Sequence, residues 1–190
     1  ISSACVAAKD TRKNDPWQQA QAIIDRFKTP LQFRAEDFPI TQFGAQTCQT
    51  VPVLAWVSFV DKARLQTPAP DAPDAYPAIT AAILACHQAG GGRVVIPKGD
   101  WLCAGPIVLR SNVHVHLQAG AHIYFSNNPN DYAKYGDYDC GANGKLSITR
   151  WEGNDCLNFS SLVYAYGQHN IALTGEDWTS ILDGQAGVDW

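Results

Sequence analysis

Three consecutive glycines, Gly90-Gly91-Gly92, run straight into Arg93-Val94-Val95-Ile96-Pro97-Lys98-Gly99, and no other stretch constrains the chain as strongly. A helical pattern stops there, and glycine supplies the left-handed backbone that such a stop needs. Short β-rich runs follow: Val94-Val95-Ile96, Trp101-Leu102-Cys103, Pro106-Ile107-Val108-Leu109, Val113-His114-Val115-His116-Leu117 and His122-Ile123-Tyr124-Phe125. Lys98-Gly99, Ala104-Gly105, Ser111-Asn112 and Ala119-Gly120 separate them. The links are too short for the crossover helices of a βαβ sheet. Short strands at even spacing with glycine corners fit a parallel β-solenoid, in which each rung buries its inward residues against the next. The expected fold class is all-β.

The rhythm breaks over residues 126–160, which are rich in Asn, Asp, Tyr and Gly. It resumes at Ser161-Leu162-Val163-Tyr164-Ala165, Asn170-Ile171-Ala172-Leu173-Thr174-Gly175 and Ser180-Ile181-Leu182-Asp183-Gly184. A loop this long in a solenoid reads as a binding or lid element on one face. Upstream, Asp74 opens a helix with Pro77 in its first turn, and Ile79, Ile83 and Cys86 form its buried stripe. Such a helix suits a cap over the open end of a β-stack. An earlier helix starts at Asp15-Pro16, with Trp17, Ala20, Ile24 and Phe27 on one face, read as core packing. Phe38 to Ala45 reads as a strand ending at Gly44, and residues 46–71 as an insertion. The expected organisation is an N-terminal extension and insertion over 1–71, then a capping helix and first rungs over 72–190.

Composition excludes several classes. Hydrophobic residues make up 46% of the 190 positions and charged residues 17%, which is globular rather than disordered. A net charge of −4 argues against nucleic acid or an anionic membrane as partner. The longest apolar run, Val51 to Val60, is broken by Pro52 and Ser58 and falls short of the roughly 18 residues of a membrane span. The absence of Met, even at position 1, suggests a mature secreted chain. Six cysteines, Cys5, Cys48, Cys86, Cys103, Cys140 and Cys156, then suggest disulfides. Pairing of sequence neighbours gives Cys5–Cys48, Cys86–Cys103 and Cys140–Cys156. No CxxC or HxxxH spacing supports zinc. The Asp/Asn run at 127–139 lacks the spacing and closing Glu of a calcium loop. No cofactor or metal is expected.

Several of these segments together resemble the opening of the pectin-degrading polygalacturonases. They are Phe43-Gly44-Ala45, Asp74 with Ala78-Ile79, Ala89 to Pro97, Gly105-Pro106-Ile107, Ser111 to Leu117, Gly120-Ala121, Asn158 to Ala165, Asn170 to Glu176 and Ile181 to Gln185. The resemblance implies a right-handed parallel β-helix of glycoside hydrolase family 28, and inverting hydrolysis of α-1,4-galacturonan without a metal. That chemistry uses an Asn-x-Asp, an Asp-Asp, a Gly-His-Gly and an Arg-x-Lys. The sequence has no Asp-Asp and no Gly-His-Gly, and none of the four follows the strand series. No catalytic residue is therefore carried over to this chain. The expected protein is the N-terminal part of a secreted hydrolase of cell-wall pectin. The remaining C-terminal rungs would be a second chain or a continuation, and the partner a pectin oligosaccharide. The rival readings are a non-catalytic β-helical carbohydrate-binding module and a calcium-dependent pectate lyase.

Among the carboxylates, Asp137 and Asp139 share a face if extended but lie in a loop, and Asp71 and Asp74 read as turn and cap. Neither makes the rigid acid–base pair that hydrolysis needs. His114 and His116 share a strand face and read as structural, like the other histidines. The candidate substrate-binding residues are Arg150, Trp151, Glu152 and Tyr138. A uronate needs a cation for its carboxylate and an aromatic face for its ring. The competing reading is an Arg150–Glu152 ion pair with Trp151 packed on the body. Asn158-Phe159-Ser160 is an N-glycosylation sequon, read as structural.

Overall fold

The computed structural model describes residues 15–56 and 62–186. The chain divides into two compact units, residues 1–32 and 33–190. In the first, helix α1 (Pro16–Phe27) starts as the sequence requires: Asp15 accepts the N–H of Trp17 at 3.0 Å, and Pro16 holds the first helical position. The core packing expected of its apolar face is not seen. Trp17 is 82% and Phe27 83% exposed.

The second unit is mostly β. Its strands are β1 (Asp37–Pro39), β2 (Thr50–Trp56), β3 (Lys62–Pro68), β4 (Gly92–Ile96), β5 (Gly99–Cys103), β6 (Ile107–Val108), β7 (Val113–Leu117) and β8 (Ala121–Phe125). Then come β9 (Tyr138–Asp139), β10 (Lys145–Trp151), β11 (Asn154–Asn158), β12 (Val163–Tyr164), β13 (Ala172–Gly175) and β14 (Ile181–Asp183). One helix, α2 (Tyr76–Gln88), precedes β4.

The strand order shows how the chain winds. One sheet runs β1-β4-β7-β13, a second β5-β8-β14 and a third β6-β12, and every pairing within them is parallel. Successive strands therefore belong to different sheets, and the chain returns to each in the same order. Gly92 lies beside Val113 and Gly99 beside Ala121, a repeat of about 21–22 residues. Such a return works only if one face of every strand is apolar. In β7 the period of two puts Val113, Val115 and Leu117 inside and His114 and His116 outside. Val94, Val115 and Leu173 stack across three layers, as do Trp101, Ile123 and Leu182. Each fully buried aliphatic side chain stabilises by about 1.5–3 kcal/mol. The third layer is less covered: Leu182 is 40% exposed where Ile123 is 0%.

Helix α2 covers the other end. Ile79, Ile83 and Cys86 are buried against the core, as their spacing predicts. Asp74 accepts hydrogen bonds from the N–H of Tyr76 (2.9 Å) and of Ala104 (3.0 Å), tying the helix start to the corner after β5. The glycine stop is sterically obligatory at Gly91. Its φ is +109°, and a Cβ there would lie 2.5 Å from the carbonyl oxygen of Asn112.

Two segments differ from their sequence readings. The strand expected over Phe38 to Ala45 stops at Pro39, and Ile40–Phe43 form a 3-10 turn closed by Gly44 at φ +93°. The turn buries Ile40 completely, which a continued strand would not. The segment 126–160, expected as a loop, also carries strands, and so does the insertion before α2. Residues 50–56 and 62–68 pair as the antiparallel strands β2 and β3, and β9, β10 and β11 form a three-stranded antiparallel sheet. The mixed polarity of β10 and β11 hid their pattern, because that hairpin buries no full face.

The disulfide expectations need correction. The thiols of Cys48, Cys86, Cys103, Cys140 and Cys156 are free, and Cys5 lies outside the described residues. Cys103 donates to the carbonyl of Gly105 near Tyr76 at the start of α2, whereas Cys86 is on its last turn. Ten helical residues, about 15 Å, separate those ends, and a disulfide spans at most about 7 Å between Cα atoms. Cys140 lies beside Gly144, before β10, whereas Cys156 pairs with Thr149 on the opposite edge of that strand. Five strand residues, about 16 Å, keep them apart. Burial pushes the Cys86 thiol up to about 11, so it is protonated and unreactive at neutral pH.

Candidate functional site

A concavity lies over the third sheet. Ile107 and Leu109 point inward and are buried, so alternation turns Val108 and Arg110 outward. Val163 packs on the core, and its neighbour Tyr164 lies beside Val108 on the outer face. Tyr166 follows two residues later on the same side. Helix α2 adds Tyr76, Thr80 and Leu84, and the segment before β9 adds Tyr135 and Asp137. The enclosed volume is about 420 Å³, within the roughly 300–1,000 Å³ of small-molecule sites.

Its walls are fixed to different degrees. The Tyr76 and Tyr135 rings lie 4.6 Å apart at 37°, a tilted contact typical of aromatic pairs. They pack over Gly105, where a Cβ would sit 2.7 Å from Tyr76 and 3.0 Å from Tyr135. Burial pushes the Tyr76 phenol up to about 12, and that of Tyr164 also rises, through burial and then the nearby Asp137 carboxylate. Both are neutral donors at physiological pH. Gln168 is locked: its Oε1 accepts from the N–H (2.7 Å) and hydroxyl (2.9 Å) of Ser111, and its Nε2 donates to the carbonyl of Tyr166. This amide ties the turn after β12 to the turn after β6. Arg110 is half-buried and has no ion-pair partner among the described residues, whereas Arg93 makes two hydrogen bonds to Asp37 and Arg34 pairs with Glu36.

The residues chosen from sequence do not line this concavity. Arg150 pairs across the β10-β11 hairpin with Asp155 at 3.2 Å, both 72% exposed, and not with Glu152. Glu152 and Gly153 are the two left-handed turn residues, with φ +48° and +83°. Trp151 is 68% exposed rather than packed on the body. Tyr138 pairs with Leu146 at the other end of β10, about 16 Å along the strand from Trp151. It is close enough to Tyr164 to contribute to the rise in that phenol's pKa. The residues not singled out from the sequence, Arg110, Tyr164 and Tyr166, come from two separate segments. The signal that finds them is the outward phase of Val108-Leu109-Arg110 laid beside Tyr164-Ala165-Tyr166.

Asp139 accepts from the N–H of Gly141 (3.0 Å), and Asp74 accepts from the N–H of Tyr76 at the helix start. The hydroxyl of Thr174 sits between His114 Nε2 (2.7 Å) and His116 Nδ1 (3.0 Å). His122 stacks on Tyr124 between Asp100 and Asp183. Arg26-Phe27-Lys28 has Arg-x-Lys spacing but closes α1, with Lys28 paired to Asp25. Among the described residues, no group of three or more His, Cys, Asp or Glu side chains is arranged to hold a metal, and no helix is long and apolar enough to cross a membrane.

Fold and site together define a mostly β protein whose parallel strands recur in three sheets, with a tyrosine-lined concavity over one of them. No protein-family model and no curated protein matches the sequence. Solved structures do. A hyperthermoactive exopolygalacturonase from Thermotoga maritima is similar over 88% of this chain, at 27% identity with a TM-score of 0.60. A family 28 exopolygalacturonase from Yersinia enterocolitica is similar over 75% of this chain, at 23% identity with a TM-score of 0.47. The chain spans 30% of the first relative's length and 20% of the second's. The resemblance to polygalacturonases carried by the sequence motifs is thus also one of structure.

Proposed function

We propose that this chain is part of a secreted polygalacturonase-like glycoside hydrolase that cuts α-1,4-galacturonan by inversion. The observation that carries the proposal is the likeness to the Thermotoga maritima exopolygalacturonase. The cyclic return of strands to three parallel sheets supports a parallel β-helix, and right-handed winding follows the general rule for crossovers between parallel strands. Inversion needs an acid and a base roughly 6.5–9.5 Å apart with water between them. The sequence holds no Asp-Asp of the polygalacturonase kind, and the catalytic pair is proposed to belong to further coils stacked on β12, β13 and β14. The exposure of Leu182 on that side and the 30% coverage of the relative support further coils, as a continuation or a second chain. This chain then contributes the helix-capped end and one wall of the substrate groove. Secretion follows from a substrate that is an extracellular polymer.

The test is incubation of the full-length protein with polygalacturonate. Release of reducing ends, with monomeric galacturonate as the first product, is expected. Calcium-dependent appearance of unsaturated, ultraviolet-absorbing products would establish a lyase instead. Binding without cleavage would establish a carbohydrate-binding module.

A further inference from the structure

We infer that the concavity over β6 and β12 is a subsite for one terminal uronate of the polymer, with Arg110 taking the carboxylate and Tyr166 the sugar face. The inference rests on the proposed polygalacturonase-like reading and assigns residues within it.

Three observations converge. The first is the blocked end. Strand β6 pairs with β12 on one edge only, and α2 packs on β6. A groove running across the strands therefore meets α2 and the Tyr76–Tyr135 pair at its first coil. Tyr76 is buried and held over Gly105, so this wall is built in and does not swing aside. A polymer entering from the other coils can place only its last unit against it.

The second is the unmatched charge. Arg110 is half-buried among tyrosines and makes no ion pair with a described carboxylate. A guanidinium in that setting favours a bidentate carboxylate, which a uronate carries and a neutral hexose lacks. Asp137 stands at the same concavity. Its charge repels a ligand carboxylate and steers it toward Arg110, while its oxygens can accept from ring hydroxyls.

The third is the mixture of rigid and free groups. Gln168 spends its carbonyl on Ser111 and one N–H on Tyr166, leaving its second N–H for a ligand oxygen. Tyr166 is 70% exposed and presents its ring as an open platform.

The experiment is calorimetric titration of the full-length protein and its Arg110→Ala, Arg110→Lys and Tyr166→Ala variants. The ligands are digalacturonate and the neutral galactobiose. Arg110→Ala is expected to weaken digalacturonate binding about 10- to 100-fold, the scale of a lost charge-assisted pair. Arg110→Lys restores part of it, and galactobiose is indifferent to both. Tyr166→Ala, at an exposed position that folding does not need, weakens both ligands several-fold. Unchanged digalacturonate affinity in Arg110→Ala, in a protein that still hydrolyses polygalacturonate, overturns the inference and leaves the proposed function standing. A wild-type protein that neither binds nor cleaves galacturonan overturns both.

Discussion

The coil strands and the β9-β10-β11 insert are both β-structure, yet they differ in almost every physical respect. The coils pair in parallel, and the inner ones bury one full face of a strand, as Val113, Val115 and Leu117 show. The insert pairs antiparallel and stays largely exposed, with Ser147 its fully buried residue. Coil residues are held by neighbours in the layers above and below. Insert residues are held mainly by ladder hydrogen bonds and a two-residue turn. The coils thus fix position, while the segments joined to them supply chemistry. Binding groups are best placed where the two meet, and Tyr135 and Asp137 stand beside Arg110, Tyr164 and Tyr166 in that way.

The contrast breaks if charge is tolerated in the stack. Val115→Asp puts a carboxylate between Val94 and Leu173 at a fully buried position. It is expected to cost about 4 kcal/mol or more in urea unfolding, the penalty of an unpaired buried charge. Gly91→Ala comes next. Left-handed backbone and the close Asn112 carbonyl should cost about 1–3 kcal/mol, read as a lowered melting midpoint.

The insert side is sharpened by Trp151→Ala and Arg150→Ala. Both side chains are exposed, so stability should move by no more than about 0.5 kcal/mol. Digalacturonate affinity should not change; a clear loss would return the binding role to the hairpin tip.

The smallest expected effect is at the edge of the first sheet. Hydrogen bonds from Arg93 hold the Asp37 carboxyl below its usual range, with burial opposing them. A lowered native pKa means stability present above about pH 4 and lost as pH falls through the lower native value. Asp37 is about half exposed, so solvent screening keeps the contribution below about 1 kcal/mol. Asp37→Asn should therefore show a small deficit at pH 7 that disappears near pH 3 in thermal melts.

These differences explain what the sequence disclosed. The coil strands were legible because burial on one face writes itself as Val-x-Val-x-Leu with glycine or asparagine corners. Helix α2 was legible because Ile79, Ile83 and Cys86 repeat at helical spacing. The hairpin β10-β11 was not, since Thr149, Arg150 and Trp151 bury too little to leave a period. The concavity was hidden for another reason. Arg110 looks like a corner residue and Tyr166 like a loop residue until β6 and β12 are laid side by side. Arg150 and Trp151 sit at the β10-β11 hairpin, where Trp151 lines a separate hollow with Asn154 and Asn158, away from the concavity over β6 and β12. Pairing Cys86 with Cys103 and Cys140 with Cys156 by sequence proximity failed because α2 and β10 are rigid spacers longer than a disulfide.

The most direct measurement is a crystal structure of the full-length protein soaked with trigalacturonate. The expected result is a terminal uronate against the Tyr76–Tyr135 wall, its carboxylate within about 3 Å of the Arg110 guanidinium and its ring on Tyr166. A sugar bound at the β10-β11 tip, with the concavity over β6 and β12 empty, would contradict the assignment.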